Sequence, residues 1–484
     1  MAALVRQEKA ERQRDEQDEK SADQHRLREL ASTGDHSTAA ADADADLRKV
    51  MHDNADVLTS TAILDHTARF ADARRAGSYA VLFGVLLRAV LAVPPRVALP
   101  PIIGGAVSLN LLLAVVGASG GGKGTADKVA ADAVHLSIGG RRPPLPVLPM
   151  LPIGSGEGIS RTYAYADRDP LTGRVELQWL TRAGMFVCPD IASIRALTSR
   201  LGSTLLAELL KAYMGEALGF ANADPKLRVI LPPHSYRFGL AAGVQPENGA
   251  VLLNDQAQRD GVPQRFLWAP VRPGVTRDPS AGVVEPLTVS VPDFGIDPMA
   301  DQPLVFLAVA PAIRQQIIEA DAAKDLDPFG RSADALAGHR LLAQLKLAAA
   351  LAVLHGRTDV GTEDWQRAGR LTAVSTAVSR AVAAASGAAA ERDAVRDGQR
   401  LAATDAARDA AALRSLVERV NRYLGAQTDW VPHSAVTRSV TGKLRRNLPD
   451  ALAALVDSGA VERRKVKRDG KPEVVQYRAT AARS

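Results

Sequence analysis

The stretch Leu111-Leu-Leu-Ala-Val-Val-Gly117-Ala-Ser-Gly-Gly-Gly-Lys123-Gly-Thr125 decides the fold. Its first half continues a mostly apolar run over residues 109–116, which is typical of a strand buried on both faces. Its second half consists largely of glycines and ends in a lysine and a threonine. A strand, a glycine-rich loop and a following helix predict a phosphate-binding loop, because backbone N–H groups and the helix N-terminus can surround an anion.

The loop predicts ATP and Mg²⁺ as cofactors. Lys123 is expected to contact the β- and γ-phosphates, and Thr125 is expected to bind magnesium. The usual pattern places Ser or Thr directly after the lysine, whereas Gly124 intervenes here, as in the GKGT variant of adenylate kinases. A glycine-rich turn without a ligand is the alternative interpretation. The residues expected to hold the cofactor are Gly117, Ser119, Gly120, Gly121, Gly122, Lys123, Gly124 and Thr125.

Composition indicates a globular protein of several domains. The chain has 484 residues, of which 46% are hydrophobic and 24% charged. Cys188 is the only cysteine, which excludes an intrachain disulfide and fits a reducing cytoplasm. The first residues are charged, so no secretory signal is expected. The apolar residues 80–98 are interrupted by two arginines and two prolines, which favours a buried helix over a membrane span.

Patterning divides the chain into five regions. The alternation of apolar strands and helices after residue 101 predicts an α/β core with a mainly parallel sheet, with strands near residues 147–153, 185–188, 229–231 and 238–244 and one long helix over 194–218. The predicted regions are a disordered or loosely helical charged arm (1–48), a helical N-terminal region (49–100), the α/β core (101–300), a helical lid and connector (301–410), and a C-terminal module (411–484).

The C-terminal module has the pattern of a winged helix-turn-helix. Helices are expected over 413–424, 434–441 and 448–456, and an Asp-Gly turn joins strands over 461–467 and 474–478. Residues 434–484 contain twelve Lys or Arg and five Asp or Glu, a net charge of +7. Such clustering predicts DNA as the partner, although a solvated basic face or a protein-docking module stays open. The expected DNA-binding residues are Arg438, Lys443, Arg445, Arg446, Arg463, Arg464, Lys465, Lys467 and Arg468, whereas Tyr477 is expected in the core.

Read as an ordered set, the motifs resemble phage- and plasmid-type P-loop ATPases with a RecA-like helicase core, which are common in actinobacterial mobile elements. The resemblance covers residues 75–385, and the stretch 345–365 is similar to the family's lid. It rests on the loop 117–125 together with Gly154-Ser-Gly-Glu157-Gly, Arg200-Leu-Gly-Ser-Thr204-Leu, Ser235-Tyr-Arg-Phe-Gly-Leu-Ala-Ala-Gly-Val-Gln245-Pro and Gly261-Val-Pro-Gln-Arg265-Phe-Leu-Trp268.

The resemblance implies roles for further residues. Glu157 would polarise the attacking water, unless it is only a solvated loop acid. Asp190 would be the Walker B acid that holds magnesium, although Pro189 stands where related sequences carry a second acid, and Asp190 fits a helix cap as well. Gln245 would sense the γ-phosphate, unless it is a turn residue.

Arginines in two of these motifs are candidates for a finger that acts on a neighbouring subunit's nucleotide. Arg265 is the first candidate, with a structural ion pair as the alternative, and Arg237 is the second. A finger acting in trans requires an oligomer, in this class most often a hexameric ring.

Three functions follow as hypotheses. The first is an ATP-driven DNA helicase, translocase or replication initiator, whose motor holds single-stranded DNA and whose C-terminal module holds duplex. The second is a nucleotide-binding DNA regulator that does not unwind. The third is a small-molecule kinase, suggested by the GKGT sequence alone. None of them requires a membrane.

Overall fold

The computed structural model describes residues 34–141, 145, 148, 150–168, 175–200, 202–221, 224, 228–272, 282–322, 337–467 and 472–480. The chain divides into two compact units, Met1–Ala390 and Glu391–Ser484. This boundary lies about 20 residues before the predicted one at 411, and both positions fall within one helix, Thr362–Gly425.

The helices of the described residues alternate with strands through most of the first unit and continue into the second unit. They are α1 (Gly34–Asp53), α2 (Ala62–Ala73), α3 (Ser78–Leu91), α4 (Lys123–Ala133), α5 (Gly156–Tyr163), α6 (Ile191–Thr198), α7 (Leu205–Met214), α8 (Ala250–Leu253), α9 (Asp255–Arg259), α10 (Pro311–Ala322), α11 (Ala337–Leu354), α12 (Thr362–Gly425), α13 (His433–Ser439) and α14 (Leu448–Asp457). Short 3₁₀ turns occur at Ala55–Thr59, Pro246–Asn248, Pro263–Arg265 and Gly442–Asn447.

The strands are β1 (Val97–Leu99), β2 (Val107–Ser108), β3 (Leu111–Val116), β4 (Val134–Ile138), β5 (Met150–Pro152), β6 (Ala164–Arg168), β7 (Val175–Trp179), β8 (Ala183–Cys188), β9 (Leu218–Gly219), β10 (Ile230–Leu231), β11 (Arg237–Val244), β12 (Phe266–Pro270), β13 (Leu287–Val291), β14 (Val305–Phe306), β15 (Ala308–Val309), β16 (Asp359–Val360), β17 (Val431–Pro432), β18 (Val461–Val466) and β19 (Val474–Ala479). Small sheets pair β4 with β13, β6 with β7, β9 with β10 and β15 with β16, while β1 lies between β14 and β2.

A five-stranded parallel sheet forms the centre of the first unit. Its strand order is β12-β3-β11-β8-β5, and Leu111 to Val116 of β3 pair in register with Gly239 to Val244 of β11. From β3 the chain passes β11 and β8 to the edge strand β5, then returns through β8 and β11 to β12 on the far side of β3, so the connections that leave β3 and β11 run in opposite directions. Open parallel sheets bind ligands at the carboxyl ends of strands next to such a reversal. The fold therefore directs attention to the residues that follow β3.

Burial explains why β3 and β11 are central. Every residue of both strands is buried, as expected for a parallel sheet covered by helices on its faces. Helix α3, itself buried along almost its whole length, covers one face, and a Cβ at Gly239 would lie 2.8 Å from Leu87 Cδ1. The Arg88 guanidinium of α3 donates to Asp127 of α4 at 2.8 Å, and this half-buried ion pair fixes the helix that follows the glycine-rich loop.

Several sequence predictions are confirmed. The predicted mainly parallel sheet is present, and strands occur at residues 111–116, 183–188 and 237–244 as expected. Part of the predicted arm, residues 34–48, is helical and belongs to α1, whereas residues 1–33 lie outside the described part of the chain.

The predicted single helix over 194–218 is wrong. The structure has two helices, α6 and α7, with a break after Ser199. Gly202 lies in this break with φ +76°, a left-handed conformation that a continuous right-handed helix cannot contain. Helical periodicity on both sides concealed the interruption.

The second unit joins the end of α12 to two short helices and a three-stranded sheet of order β17-β19-β18. Its own apolar core includes Leu416 and Val420 from α12, Leu452 from α14 and Tyr477 from β19. Tyr477 is 6% exposed, which confirms the prediction that it is a core residue. The two predicted strands form an antiparallel hairpin with Val461 opposite Ala479.

Among the residues that the structure describes, no helix combines the length and hydrophobicity that a membrane crossing requires. The apolar stretch 80–98 contains most of the 14-residue helix α3 and the first residues of strand β1, and most of its apolar side chains are buried. The expectation of a buried helix is confirmed.

Candidate functional site

The glycine-rich loop lies at the carboxyl end of β3 and leads directly into helix α4. Gly120 and Gly122 have φ values of +69° and +97°, in the left-handed region that glycine adopts without a steric penalty. The loop is tied to the sheet because the Gly117 N–H donates to the Val244 carbonyl at 2.9 Å. The loop therefore forms a fixed turn at the carboxyl ends of β3 and β11.

Helix α4 presents an uncapped N-terminus beside this loop. Its N-cap residue, Gly122, has no side chain to bind the first N–H groups, and residues 123–126 include no acid. A helix leaves its first N–H groups without an intrahelical partner and carries positive partial charge at this end. Gly124 and Thr125 are exposed, so the N–H groups and the Thr125 hydroxyl are accessible to an anion and its counter-ion.

The Lys123 ammonium is held over the loop by weak, exchangeable contacts. Nζ donates to the carbonyl oxygens of Gly117 at 2.9 Å and Ala118 at 3.0 Å. The aliphatic part of the side chain crosses β11, where an ideal Cβ on Gly243 would lie 3.4 Å from Lys123 Cδ. Anionic oxygens form stronger charge-assisted hydrogen bonds than neutral carbonyls do, so a phosphate can displace both partners.

Asp190 and Gln245 are in contact at the carboxyl ends of neighbouring strands. Gln245 Nε2 donates to Asp190 Oδ2 at 3.1 Å, and Asn248 Nδ2 donates to Gln245 Oε1 at 2.7 Å. Asp190 Oδ1 also accepts the Ala192 N–H at 2.9 Å and so caps helix α6. The cap and a role at the site are compatible, because the cap uses one carboxylate oxygen and leaves the other facing Gln245.

Gly243 brings these groups close to the lysine. A Cβ at this position would lie 2.2 Å from the Pro189 carbonyl oxygen, so any side chain would push the loop that carries Asp190 away from β11. The structure thus assembles Lys123, Asp190 and Gln245 around one glycine. Sequence reasoning missed both Gly243 and Asn248; the strand register next to the glycine-rich loop was the signal that could have identified them.

Glu157 lies at the same edge of the sheet but farther from the loop. It is exposed in the first turn of α5, after the edge strand β5, and its carboxylate forms no hydrogen bond or ion pair with the described residues. Three strand spacings of about 4.8 Å separate β5 from β3, roughly 14 Å in all. The role of Glu157 in water activation stays a prediction. The alternative of a solvated acid in a loop is wrong in one respect, because Glu157 lies in a helix.

The motif that contains Glu157 and the motif that contains Thr204, the second and third in chain order, are in contact. A Cβ at Gly156 would lie 2.6 Å from Thr204 Oγ1, so the start of α5 rests directly on the start of α7. This contact explains the glycine before Glu157 and the threonine at 204. Leu201 of the third motif lies outside the described residues.

Arg265 lies at the amino end of β12, the outer strand on the side of the sheet opposite β5. Its guanidinium donates to the Gly261 carbonyl at 2.7 Å and the Asp260 carbonyl at 3.3 Å, and its buried Nε has no partner in the described part of the chain. Desolvation lowers the pKa of Arg265. The finger role stays a prediction that depends on a neighbouring subunit.

Arg237 does not fit the finger role. It is fully buried at the start of β11, and its guanidinium donates to the carbonyls of Pro94 and Val97 and to Ser108 Oγ at 2.6, 2.7 and 3.0 Å. A side chain enclosed in this way cannot reach another subunit. Arg237 instead provides hydrogen-bond donors for the backbone carbonyls of the segment that follows helix α3.

The carboxyl edge of the sheet offers two oxygen ligands that could share a magnesium ion with phosphate. No group of three or more His, Cys, Asp or Glu side chains that could bind a metal occurs within the described ranges. Magnesium commonly takes one or two protein ligands and completes its shell with phosphate oxygens and water. The exposed Thr125 hydroxyl and the Asp190 carboxylate are suitable ligands of this kind.

The second unit exposes most of the predicted DNA-binding residues. Arg438, Arg445 and Arg446 are exposed around the short turn between α13 and α14, and Arg463, Arg464, Lys465 and Lys467 are exposed on the hairpin. The Lys443 side chain and Arg468 lie outside the described residues. Trp430 was not predicted: its ring centroid lies 4.1 Å from the Arg464 guanidinium carbon and 4.7 Å from that of Arg478.

No protein-family model matches the chain, and a comparison with curated proteins finds no match. The assignment of function therefore depends on the chemistry of the two groups of residues described above.

Proposed function

We propose that this protein is an ATP-dependent DNA helicase, translocase or replication-initiator ATPase with a RecA-like P-loop core and a C-terminal winged helix-turn-helix. One observation carries the proposal. A glycine-rich loop, an uncapped helix N-terminus and Lys123 lie together at the carboxyl ends of β3 and β11, next to the paired Asp190 and Gln245. This combination suits a nucleoside triphosphate with magnesium.

The binding step would use Lys123 and the backbone of the loop. The ammonium would leave the carbonyls of Gly117 and Ala118 for the β- and γ-phosphate oxygens, while the N–H groups at the start of α4 bind phosphate. Thr125 and Asp190 would hold magnesium, which supplies charge neutralisation of the phosphates when bound. Binding of magnesium and the γ-phosphate would move Asp190 and break its hydrogen bond to Gln245. The Gln245 amide would then change its position in response to the γ-phosphate.

Hydrolysis also requires a carboxylate that polarises water. Glu157 is the candidate at the same sheet edge, and closure of α5 toward the loop would have to shorten the distance of roughly 14 Å between the strands that precede them. Arg265, at the opposite edge, would act on the nucleotide of a neighbouring subunit in a homo-oligomer, for which a hexamer is the expected form.

The second unit supports the DNA-binding half of the proposal. Its helices and its hairpin of β18 and β19 follow the order of a winged helix-turn-helix, and its exposed cations suit a polyanion. Single-stranded DNA would be held by the motor, and duplex DNA by this unit.

A second candidate function is a nucleotide-dependent DNA-binding regulator that does not unwind DNA. The position of Asp190 favours it: one carboxylate oxygen caps α6, the other binds Gln245, and Pro189 occupies the position of a second acid. In this case nucleotide binding would change the contact between Asp190 and Gln245 without efficient turnover.

ATP hydrolysis by the full chain, measured with Mg²⁺ alone, with single-stranded DNA and with duplex DNA, tests the proposal. We expect slow basal turnover that single-stranded DNA stimulates at least about threefold. Tight binding of Mg–ATP without turnover under any condition would support the regulator instead. Turnover that requires a small acceptor would indicate a kinase, and failure to bind Mg–ATP would overturn both nucleotide-dependent functions.

A further inference from the structure

Helix α14 of the second unit has the position of a recognition helix but an unsuitable exposed face. Its buried side comprises Leu448, Ala451, Leu452 and Leu455. Its exposed positions are Pro449, Asp450, Ala453, Ala454 and Asp457. Base edges in the major groove are read mainly by Arg, Lys, Asn and Gln, and none of these occurs within the helix. Its two exposed carboxylates would moreover face phosphates of the same sign.

The hairpin carries its cations on two faces with different surroundings. Val461 is buried and pairs across the sheet with Ala479, so side chains alternate along β18, and Arg463 and Lys465 share the face of Val461. Arg464 and Arg478 lie on the other face, which we call the outer face.

Cations of the outer face already have partners. The Arg464 guanidinium lies over the Trp430 ring, and its Nε donates to Gln476 Oε1 at 3.0 Å. The Arg478 guanidinium contacts the same ring and forms an ion pair with Glu462 at 2.8 Å. These contacts hold the two guanidinium groups against the sheet.

Cations on the face shared with Val461 are available to a ligand. Within the described residues, the Arg463 side chain forms no hydrogen bond or ion pair. Lys465 forms a long, exposed ion pair with Glu473 at 3.8 Å, a type of contact that contributes little and that a phosphate can replace. The exposed side chains of Arg438 and Arg446, which precede α14, likewise have no partner in the described part of this unit. Such cations bind phosphates by releasing condensed counter-ions, which does not depend on base sequence.

We propose that the second unit binds duplex DNA through its phosphate backbone, without reading sequence through α14. The contacts are made by Arg463 and Lys465 together with the arginines before α14. This inference rests on the proposed DNA-binding function and specifies its partner: duplex of any sequence rather than a defined origin site.

A matched pair of variants tests which face of the hairpin binds. Arg463→Ala and Arg464→Ala remove the same side chain from adjacent positions on opposite faces. Binding of the full chain to a fluorescent duplex, followed from 50 to 200 mM salt, should weaken about fivefold for Arg463→Ala, with the salt slope reduced by about 0.9. Arg464→Ala should change affinity less than about twofold. A larger loss for Arg464→Ala than for Arg463→Ala would overturn the assignment.

Two further measurements test the absence of sequence reading. Ala453→Glu adds a large acid to the exposed face of α14 at a helix-compatible position, and we expect less than about a twofold loss of affinity. Two unrelated duplexes of equal length should bind within about threefold, whereas specific readers discriminate by at least about 10³. A tenfold loss for Ala453→Glu, or strong preference for one duplex, would overturn this inference and leave the proposed function intact. Failure of the wild-type chain to bind any duplex would reject DNA binding by this unit, while ATP hydrolysis, measured separately, would still test the motor.

Circular dichroism and thermal unfolding of each variant control for misfolding. Should Arg463→Ala prove unstable, Arg463→Gln keeps the aliphatic part of the side chain and removes the charge, and the same loss of salt dependence is expected.

Discussion

Lys123 and Lys346 lie at opposite ends of strand β3, and each donates to two backbone carbonyls. Lys123 Nζ bonds Gly117 and Ala118 after the strand, in a loop open to solvent. Lys346 Nζ bonds Asn110, just before the strand, at 3.0 Å and Tyr213 in the last turn of α7, and its side chain is 0% exposed. The same kind of side chain is therefore an available ligand at the carboxyl edge and a structural element at the amino edge.

Helix direction accounts for this difference. In a parallel α/β sheet, helices that follow strands start at the carboxyl edge and end at the amino edge. Helix N-termini attract anions, whereas the free carbonyls of helix C-termini attract cations. At the amino edge the buried Lys346 side chain bonds a carbonyl in the last turn of α7, and the buried Arg237 side chain bonds carbonyls of the segment that follows α3. At the carboxyl edge the N-terminus of α4 stays exposed, and an anion can complete it.

The largest expected effect comes from Lys123→Ala. Removal of the ammonium should reduce ATP hydrolysis by about 10²–10³-fold, because the charge that develops on the phosphates loses its closest cation. The thermal midpoint should change little, since the Lys123 side chain is half-exposed and its ammonium bonds two carbonyls of its own loop that water can also bind. Steady-state phosphate release and differential scanning fluorimetry measure the two effects. Unchanged turnover would reject the assignment of the loop.

Lys346→Ala should have the opposite pattern. The change leaves the carbonyls of Asn110 and Tyr213 unpaired in the interior and creates a cavity beside the Tyr213 ring. We expect a loss of about 3 kcal/mol in the free energy of unfolding of the first unit at pH 10, measured by denaturant titration. Turnover per folded molecule should stay within about twofold. A stable but inactive variant would contradict the distinction between the two lysines.

The pH dependence of the unfolding free energy, measured for wild type and for Lys346→Ala, gives a second test of the difference between the two lysines. Burial lowers the pKa of Lys346 well below 10.5, so the unfolded chain binds the proton more tightly than the folded chain does. Stability contributed by Lys346 is therefore greatest above the unfolded pKa and decreases as the pH falls toward the folded pKa. The difference in unfolding free energy between wild type and Lys346→Ala should rise between pH 7 and pH 10, by at most about 1.4 kcal/mol per pH unit. A difference that falls over this range would contradict the lowered pKa of the buried Lys346 amine.

Gly243→Ala is expected to have a smaller effect that reaches both properties. The new Cβ would collide with the Pro189 carbonyl, 2.2 Å away, and would move Asp190 and Lys123 apart. We expect about 2 kcal/mol of destabilisation and about a tenfold lower rate of hydrolysis. Gly387→Ala, where nothing lies within 4 Å in helix α12, is the control and should be neutral or slightly stabilising. Equal behaviour of the two variants would show that Gly243 does not hold the site together.

Local patterns were sufficient for much of the fold. The buried strand before the glycine-rich loop, the strands at 183–188 and 237–244, and the hairpin of the second unit were predicted close to their observed bounds. Each is specified by residues next to one another in the chain: apolar runs, glycines and turn residues. The predicted helix over 194–218 was wrong for the same reason, because apolar periodicity continues on both sides of the break at Gly202.

The sequence by itself determined the glycine-rich loop after a buried strand, the α/β class of the fold and the basic character of the C-terminal unit, since these depend on short-range pattern and on charge. Only the tertiary structure decided that Gln245 bonds Asp190 across 55 residues, that Arg237 is enclosed, and that Arg463 and Arg464 face different surroundings. Strand order and register bring distant residues together. Burial decides whether a basic side chain is available to a ligand or is bound to backbone carbonyls inside the protein. Neither property is encoded in any single stretch of the chain.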